Sequence, residues 1–186
     1  MKKLISLFFL FNLVYCNSFS QDYDLVIVGG TPAGITTAIA AAREGKNCII
    51  LERTEHIGGL PVNGLGATDI GTRGATTGLF DRFVSLNKTY YINKYGENSP
   101  QVRDCSNGYH FEPHVAAQTF EQMLTDAGPG KITILKLRQF DSEPRYVTKE
   151  GNRISSIRIL NRQTQNEELY SGKIFIDATY EGDLGA

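Results

Sequence analysis

An α/β fold, with a parallel sheet and an antiparallel meander, is predicted by three features of this 186-residue sequence. An apolar run over residues 23–28 ends in Gly29-Gly30 and leads straight into a segment of helical period. A second apolar run, residues 47–51, follows after a right-handed crossover and ends in the carboxylate of Glu52. Short alternating segments between residues 144 and 170, separated by turn residues, supply the meander.

The elements follow in order. Residues 23–28 are almost continuously apolar, as in a strand buried on both faces. Pro32 stands in the first turn of the next segment, where a missing N–H costs nothing. Ile35, Ala38, Ile39 and Ala42 recur at helical spacing, and Gly45 stops a helix predicted over 32–44. Residues 57–77 are rich in Gly and Thr without a helical period, which reads as a functional or disordered loop. Leu79, Phe80, Phe83, Val84, Tyr90 and Tyr91 predict an amphipathic helix over 78–91, and 93–109 reads as polar and irregular. Pro113 opens a helix with Val115, Phe120, Leu124 and Ala127 on its buried face and Gly128 as its cap. Residues 131–137 predict a third parallel strand. Strands over 144–148, 153–160 and 168–170 make the meander, 173–177 returns to the parallel sheet, and 182–186 reads as the start of another helix.

The first twenty residues have a different character. Met1-Lys2-Lys3 is a positive start, residues 4–15 are apolar apart from Ser6 and Asn12, and Ser18-Phe19-Ser20 is a small-x-small cleavage site. This is the layout of a signal peptide over 1–20, too short to remain as a membrane span. Export to a periplasmic or extracellular compartment is expected. Cys16 is preceded by Tyr15 rather than a small residue, so no lipid anchor is expected there. Cys48 and Cys105 remain after cleavage; Cys48 lies in an apolar strand and reads as a small buried residue. No Cys-x-x-Cys pair is present, so neither zinc nor dithiol redox chemistry is indicated. The formal net charge of −1, with no basic patch, argues against a nucleic-acid partner.

The strand-turn-helix-strand-acid order is the opening of a dinucleotide-binding, Rossmann-like unit. Glycines let the main chain approach a pyrophosphate, a helix N-terminus faces the phosphates, and an acid after the second strand receives ribose hydroxyls. Thr31 stands where the fingerprint has its middle glycine, so the turn must direct a β-branched side chain away from the phosphates. Glu52 repels a 2′-phosphate, which disfavours NADP. These residues alone suit NAD as well as FAD, and equally a nucleotide-binding module without catalysis.

Several motifs occur in a fixed order: Gly29-Gly30-Thr31-Pro32-Ala33-Gly34, Leu51-Glu52-Arg53, His56-Ile57-Gly58-Gly59-Leu60, the 64–71 loop with Asp69, and the 175–184 segment from Phe175 to Leu184. In this the sequence resembles the FAD-dependent oxidoreductases, flavoproteins with a glutathione-reductase-like FAD domain, over nearly all of its length after residue 20. The resemblance implies FAD extended across the C-terminal edge of the sheet, electron or hydride transfer from a small organic substrate, and a cofactor-binding set. That set is Gly29, Gly30, Thr31, Pro32, Ala33 and Gly34 beneath the pyrophosphate, Glu52 on the adenosine ribose, Arg53 beside the adenine, and Gly58 and Gly59 against the pyrophosphate or ribityl chain. It also implies that this chain is the N-terminal, adenosine-binding part of a longer enzyme, residues 21–186 of an FAD domain incomplete at its C-terminus.

No catalytic residue is assigned, because flavin chemistry resides mainly in the cofactor. His56 is expected to hydrogen-bond loop backbone rather than to carry flavin covalently. His110 and His114 flank Glu112, but His110 precedes Pro113 and so falls off the helix; solvent or capping roles are expected, and no metal site. Asp69 reads as a flavin neighbour or a turn residue, and Glu181 and Asp183 as cofactor contacts or, for Asp183, a helix cap.

Overall fold

The computed structural model describes residues 22–185, so the predicted signal peptide over 1–20 lies outside the described residues. The chain runs β1 (Asp22–Val28), α1 (Pro32–Arg43), β2 (Cys48–Glu52), α2 (Leu79–Tyr95), α3 (Pro100–Asp104), α4 (Pro113–Ala127), β3 (Ile132–Lys136), β4 (Arg138–Gln139), β5 (Val147–Glu150), β6 (Arg153–Asn161) and β7 (Asn166–Asp177). Among the described residues the strands join in the order β3-β2-β1-β7-β6-β4, with β5 added to β6. β3, β2, β1 and the second half of β7 are parallel; β4, β5, β6 and the first half of β7 are antiparallel.

Two apolar layers enclose the parallel strands. Ile27, Cys48 and Ile50 face α1 and α4, meeting Ile35, Ile39, Val115 and Phe120. The alternate residues Val26, Val28, Ile49 and Leu51 face the meander and meet Ile157, Ile159 and Phe140. Burial on both faces explains why these strands lack a polar alternation. Alanines at 38, 41 and 42 let α1 lie close to the sheet.

The predicted βαβ unit forms as expected, and several boundaries move. Predicted strands 168–170 and 173–177 are one twelve-residue strand. Gly172 makes this continuity possible: a Cβ there would lie 2.7 Å from Val26 Cγ2, so a bulkier residue would break the passage from meander to sheet. Residues 93–109 are not irregular throughout. α2 continues to Tyr95, with Tyr91 and Tyr95 stacked, and Ser99 caps the short α3 by accepting from the Val102 amide. Pro144 begins a 3-10 turn, Pro144–Tyr146, which delays β5 to Val147. Leu137, at φ 58°, breaks the third strand and sets β4 apart from β3. At the expected helix start after residue 182, residues 183–185 form a turn in which the Gly185 amide donates to the Gly182 carbonyl.

Candidate functional site

A cavity of about 270 Å³ opens where the C-terminal ends of β1 and β2 meet the β4 strand and the segment after β7. Of the predicted cofactor residues, Gly29, Thr31, Glu52, Arg53 and Gly59 line it. Gly30, Pro32, Ala33, Gly34 and Gly58 are not in its wall but shape the turn behind it. The Gly58 amide donates to the Gly30 carbonyl at 2.6 Å, joining the double glycine to the strand-to-helix turn.

The turn is tight for a steric reason. A Cβ on Gly34 would clash with the Gly29 carbonyl oxygen, and Gly29 holds φ +103° with the Ala178 carbonyl 2.6 Å from where its Cβ would be. Thr31 resolves the departure from the fingerprint. It is the N-cap of α1, and its hydroxyl turns inward to donate to the Ala178 carbonyl at 2.7 Å. In the first turn, the Ile35 amide donates to the Thr31 carbonyl and the Gly34 amide reaches Thr31 Oγ1 at 3.4 Å. The amides of Thr31 and Ala33 find no acceptor among the described residues, as helix starts generally leave donors over. No acidic residue of α1 itself stands in that turn; the nearest carboxylate is Glu52, on the Gly30 amide.

Glu52 is buried, at 7% exposure. Its Oε2 accepts from the Gly30 amide at 2.7 Å, and its Oε1 accepts from both the amide and the hydroxyl of Thr54, each at 2.7 Å. A carboxylate has about four acceptor sites. Three are used, so the remaining one is on Oε2, beside the turn; Glu52 lines the cavity. Arg53 pairs with Glu181 at 2.7 Å, and both line the cavity. Tyr180 lies over the double glycine, its phenol oxygen accepting from the Leu60 amide at 2.8 Å.

Sequence reasoning did not single out Arg138 or Phe140, and it carried Asp177 and Tyr180 only within the 175–184 motif. Arg138 and Phe140 line the cavity because the Leu137 amide donates to the Thr54 carbonyl and so draws β4 against the segment after β2. That contact spans the fold and leaves no local signature. Asp177, the last residue of β7, gathers the exit segment: Oδ1 accepts the amide and hydroxyl of Thr179, and Oδ2 accepts the amides of Leu184 and Gly185. Burial opposes its ionisation, but these hydrogen bonds outweigh it and hold its pKa below the ordinary value of 3.8.

The remaining candidates separate. His56 is held through its backbone, which exchanges hydrogen bonds with the Thr54 hydroxyl, while its ring lines the cavity. His110 is exposed in a bridge with Ala67, whereas His114 meets the Tyr90 hydroxyl at 3.2 Å, so the two imidazoles go to different neighbours. Asp69 is exposed on the 64–71 loop. Cys48 is fully buried, as expected, and burial pushes its thiol up to about 11. Cys105 is also a free, buried thiol. No described helix is long and apolar enough to cross a membrane.

The donor set suits the adenosine diphosphate half of a dinucleotide. Free amides at a helix start meet phosphate, a buried carboxylate with one open acceptor site meets a ribose hydroxyl, and Val28, Leu51 and Phe140 give an apolar wall.

The comparisons with known proteins agree with this geometry. The soluble pyridine nucleotide transhydrogenase of Mycobacterium bovis (strain BCG / Pasteur 1173P2) is 44% identical over 43 residues, 23% of this chain and 9% of that protein. The 3-oxosteroid 1-dehydrogenase of Mycolicibacterium smegmatis is 41% identical over 39 residues, 21% of this chain and 7% of that protein. Among solved structures, glycerol-3-phosphate dehydrogenase from Bacillus halodurans, complexed with FAD, superposes with a TM-score of 0.57 at 11% identity, over 87% of this chain and 35% of that one. Thermovibrio ammonificans THI4 superposes with a TM-score of 0.52 at 21% identity, over 85% of this chain and 57% of that one. At these identities the structures show a shared fold. The chain spans less than two thirds of the length of each of these proteins. A family model described as FAD dependent oxidoreductase matches residues 24–186, nearly the whole described chain, and on that match the chain belongs to the FAD dependent oxidoreductase family.

Proposed function

We propose that this chain is the adenosine-binding part of an exported FAD-dependent oxidoreductase that oxidises or reduces a small organic substrate. The observation that carries the reading is the pairing of the free Thr31 amide at the start of α1 with the buried Glu52 carboxylate, both residues lining one cavity. The Thr31 amide at the cavity wall receives the pyrophosphate, and Glu52 accepts from the adenosine ribose. Gly29, Gly30 and Gly34 keep side chains out of the turn. Pro32 fixes the helix start, Arg53 closes the adenosine end with Glu181, and Gly58 and Gly59 bring main chain toward the remainder of the cofactor. Bound FAD supplies the redox chemistry at its isoalloxazine ring; the residues described here bind and orient it. Residues 1–20 support export as a signal peptide, and the family match over residues 24–186 supports an FAD domain.

The test is flavin identity. Protein purified with added FAD and passed through gel filtration is expected to emerge yellow, to release FAD on denaturation, and to bleach on reduction. Retention of NAD with indifference to FAD would replace this reading with a nicotinamide-dependent dehydrogenase. Retention of ADP without retention of flavin would point to a non-catalytic nucleotide-binding module.

A further inference from the structure

Arg138, a cavity residue, is held by three hydrogen bonds. Its Nε donates to Glu168 Oε2 at 2.9 Å, its Nη2 to Glu168 Oε1 at 3.1 Å, and its Nη1 to the Lys136 carbonyl at 2.9 Å. Glu168 is fixed in turn by Asn161 Nδ2 at 2.7 Å and by the Tyr170 hydroxyl. A bidentate pair plus a third bond sets the guanidinium plane as well as its position. The pair is largely shielded, with side chains 15% and 29% exposed.

This arrangement makes Arg138 a poor phosphate ligand. Its charge is already matched by Glu168, while the free amide at the start of α1 lies at the turn. The Leu137 amide, bonded to the Thr54 carbonyl at 3.2 Å, holds Arg138 next to the segment that also bonds Glu52. A group attached to a ribose at Glu52 therefore meets the wall made by Arg138, Phe140, Leu51 and Val28. A flat, weakly hydrated cation beside apolar side chains suits the face of a heteroaromatic ring.

We propose that Arg138 is the wall against which the adenine base packs, and that Glu168 is the positioning residue that holds its plane. The proposal rests on the dinucleotide reading above and adds a base-recognition residue to it.

Isothermal titration of the full chain tests it with two probes, ADP and inorganic pyrophosphate. Arg138→Met removes both plane and charge; Arg138→Lys keeps the charge opposite Glu168 and removes the plane. Both are expected to weaken ADP by about tenfold, the lower part of the range for loss of base stacking. Arg138→Lys is expected to leave pyrophosphate affinity unchanged, and Arg138→Met, which leaves Glu168 unpaired, to weaken pyrophosphate by less than it weakens ADP. Glu168→Gln is expected to weaken ADP by a smaller factor and again to spare pyrophosphate. Thermal melts identify any variant that fails to fold, and Arg138→Lys, which retains the ion pair, then decides the matter. Unchanged ADP affinity in the folded variants overturns the proposal. So does an equal loss for both probes, which would make Arg138 a phosphate ligand. Wild-type protein that binds pyrophosphate but gains nothing from the adenosine of ADP also overturns it. Wild-type protein that binds neither probe overturns the underlying dinucleotide reading and this proposal together.

Discussion

Thr31 and Ala178 are separated by 147 residues and joined by a hydrogen bond of 2.7 Å, the threonine hydroxyl donating to the alanine carbonyl. The bond ties the strand-to-helix turn at the start of the domain to the exit of β7. It gives a physical reason for a hydroxyl-bearing residue at a position where the fingerprint has glycine.

Replacing Thr31 with Val keeps the shape and removes the donor. The buried Ala178 carbonyl then loses a partner, and destabilisation of about 1–3 kcal/mol is expected. Thr31→Ser retains a hydroxyl and is expected to recover most of the loss. Urea unfolding of the two variants measures the difference.

A methyl group at residue 34 has nowhere to go, because the Gly29 carbonyl oxygen occupies its place. Gly34→Ala is expected to reach or exceed the upper end of the ~1–3 kcal/mol typical of overpacking, and to abolish ADP binding. Gly66→Ala is the control, since a Cβ there has only an ordinary 3.7 Å neighbour. Circular dichroism melts and ADP titration separate the two.

Glu52→Gln exchanges one acceptor oxygen for a donor nitrogen among groups that already donate: the Gly30 amide on one side, the Thr54 amide and hydroxyl on the other. Loss of a charged acceptor for the ribose is expected to weaken ADP by roughly 10- to 100-fold. Discrimination against a 2′-phosphate is expected to relax as well. Parallel titrations with ADP and its 2′-phosphorylated form check both effects.

Asp177 gives a pH dependence. Its native pKa lies below the ordinary 3.8, so the unfolded state binds the proton more readily. The stability it contributes is present in full well above pH 3.8 and is lost as pH falls through the lower native value. Asp177→Asn is expected to remove that portion of the acid-induced decline and to loosen the segment bearing Thr179 and Leu184. Denaturant midpoints of both proteins, followed from neutral to acid pH, provide the comparison.

What the sequence made legible depended on the range of the interaction. The β1-turn-α1 unit and Glu52 were readable because each of their signals is local: an apolar run, glycines at fixed offsets, a proline in the first turn. Thr31 could be noticed as unusual, but its partner at residue 178 could not be known. Arg138 and Glu168 are 30 residues apart and meet only through strand pairing and the network around Asn161, so neither stood out. The Ser99-Pro100 pair did carry a helix-start signal, yet the polar residues around it obscured the short α3. β7 was divided at Ser171-Gly172 because glycine reads as a breaker from local propensity, whereas here it serves close packing against Val26.

Ser171 pairs with Asp22 on one side and with Ser156 on the other, so a single strand belongs to two kinds of ladder at once. The meander is thereby woven into the parallel sheet instead of docking on it. Its three-stranded layer cannot peel away without pulling at the backbone that ends in Asp177 and Ala178, under the nucleotide turn. Amide protons of β6 and of the second half of β7 are expected to exchange with solvent at one common rate, because the cavity's wall and the strand beneath the strand-to-helix turn yield in a single event.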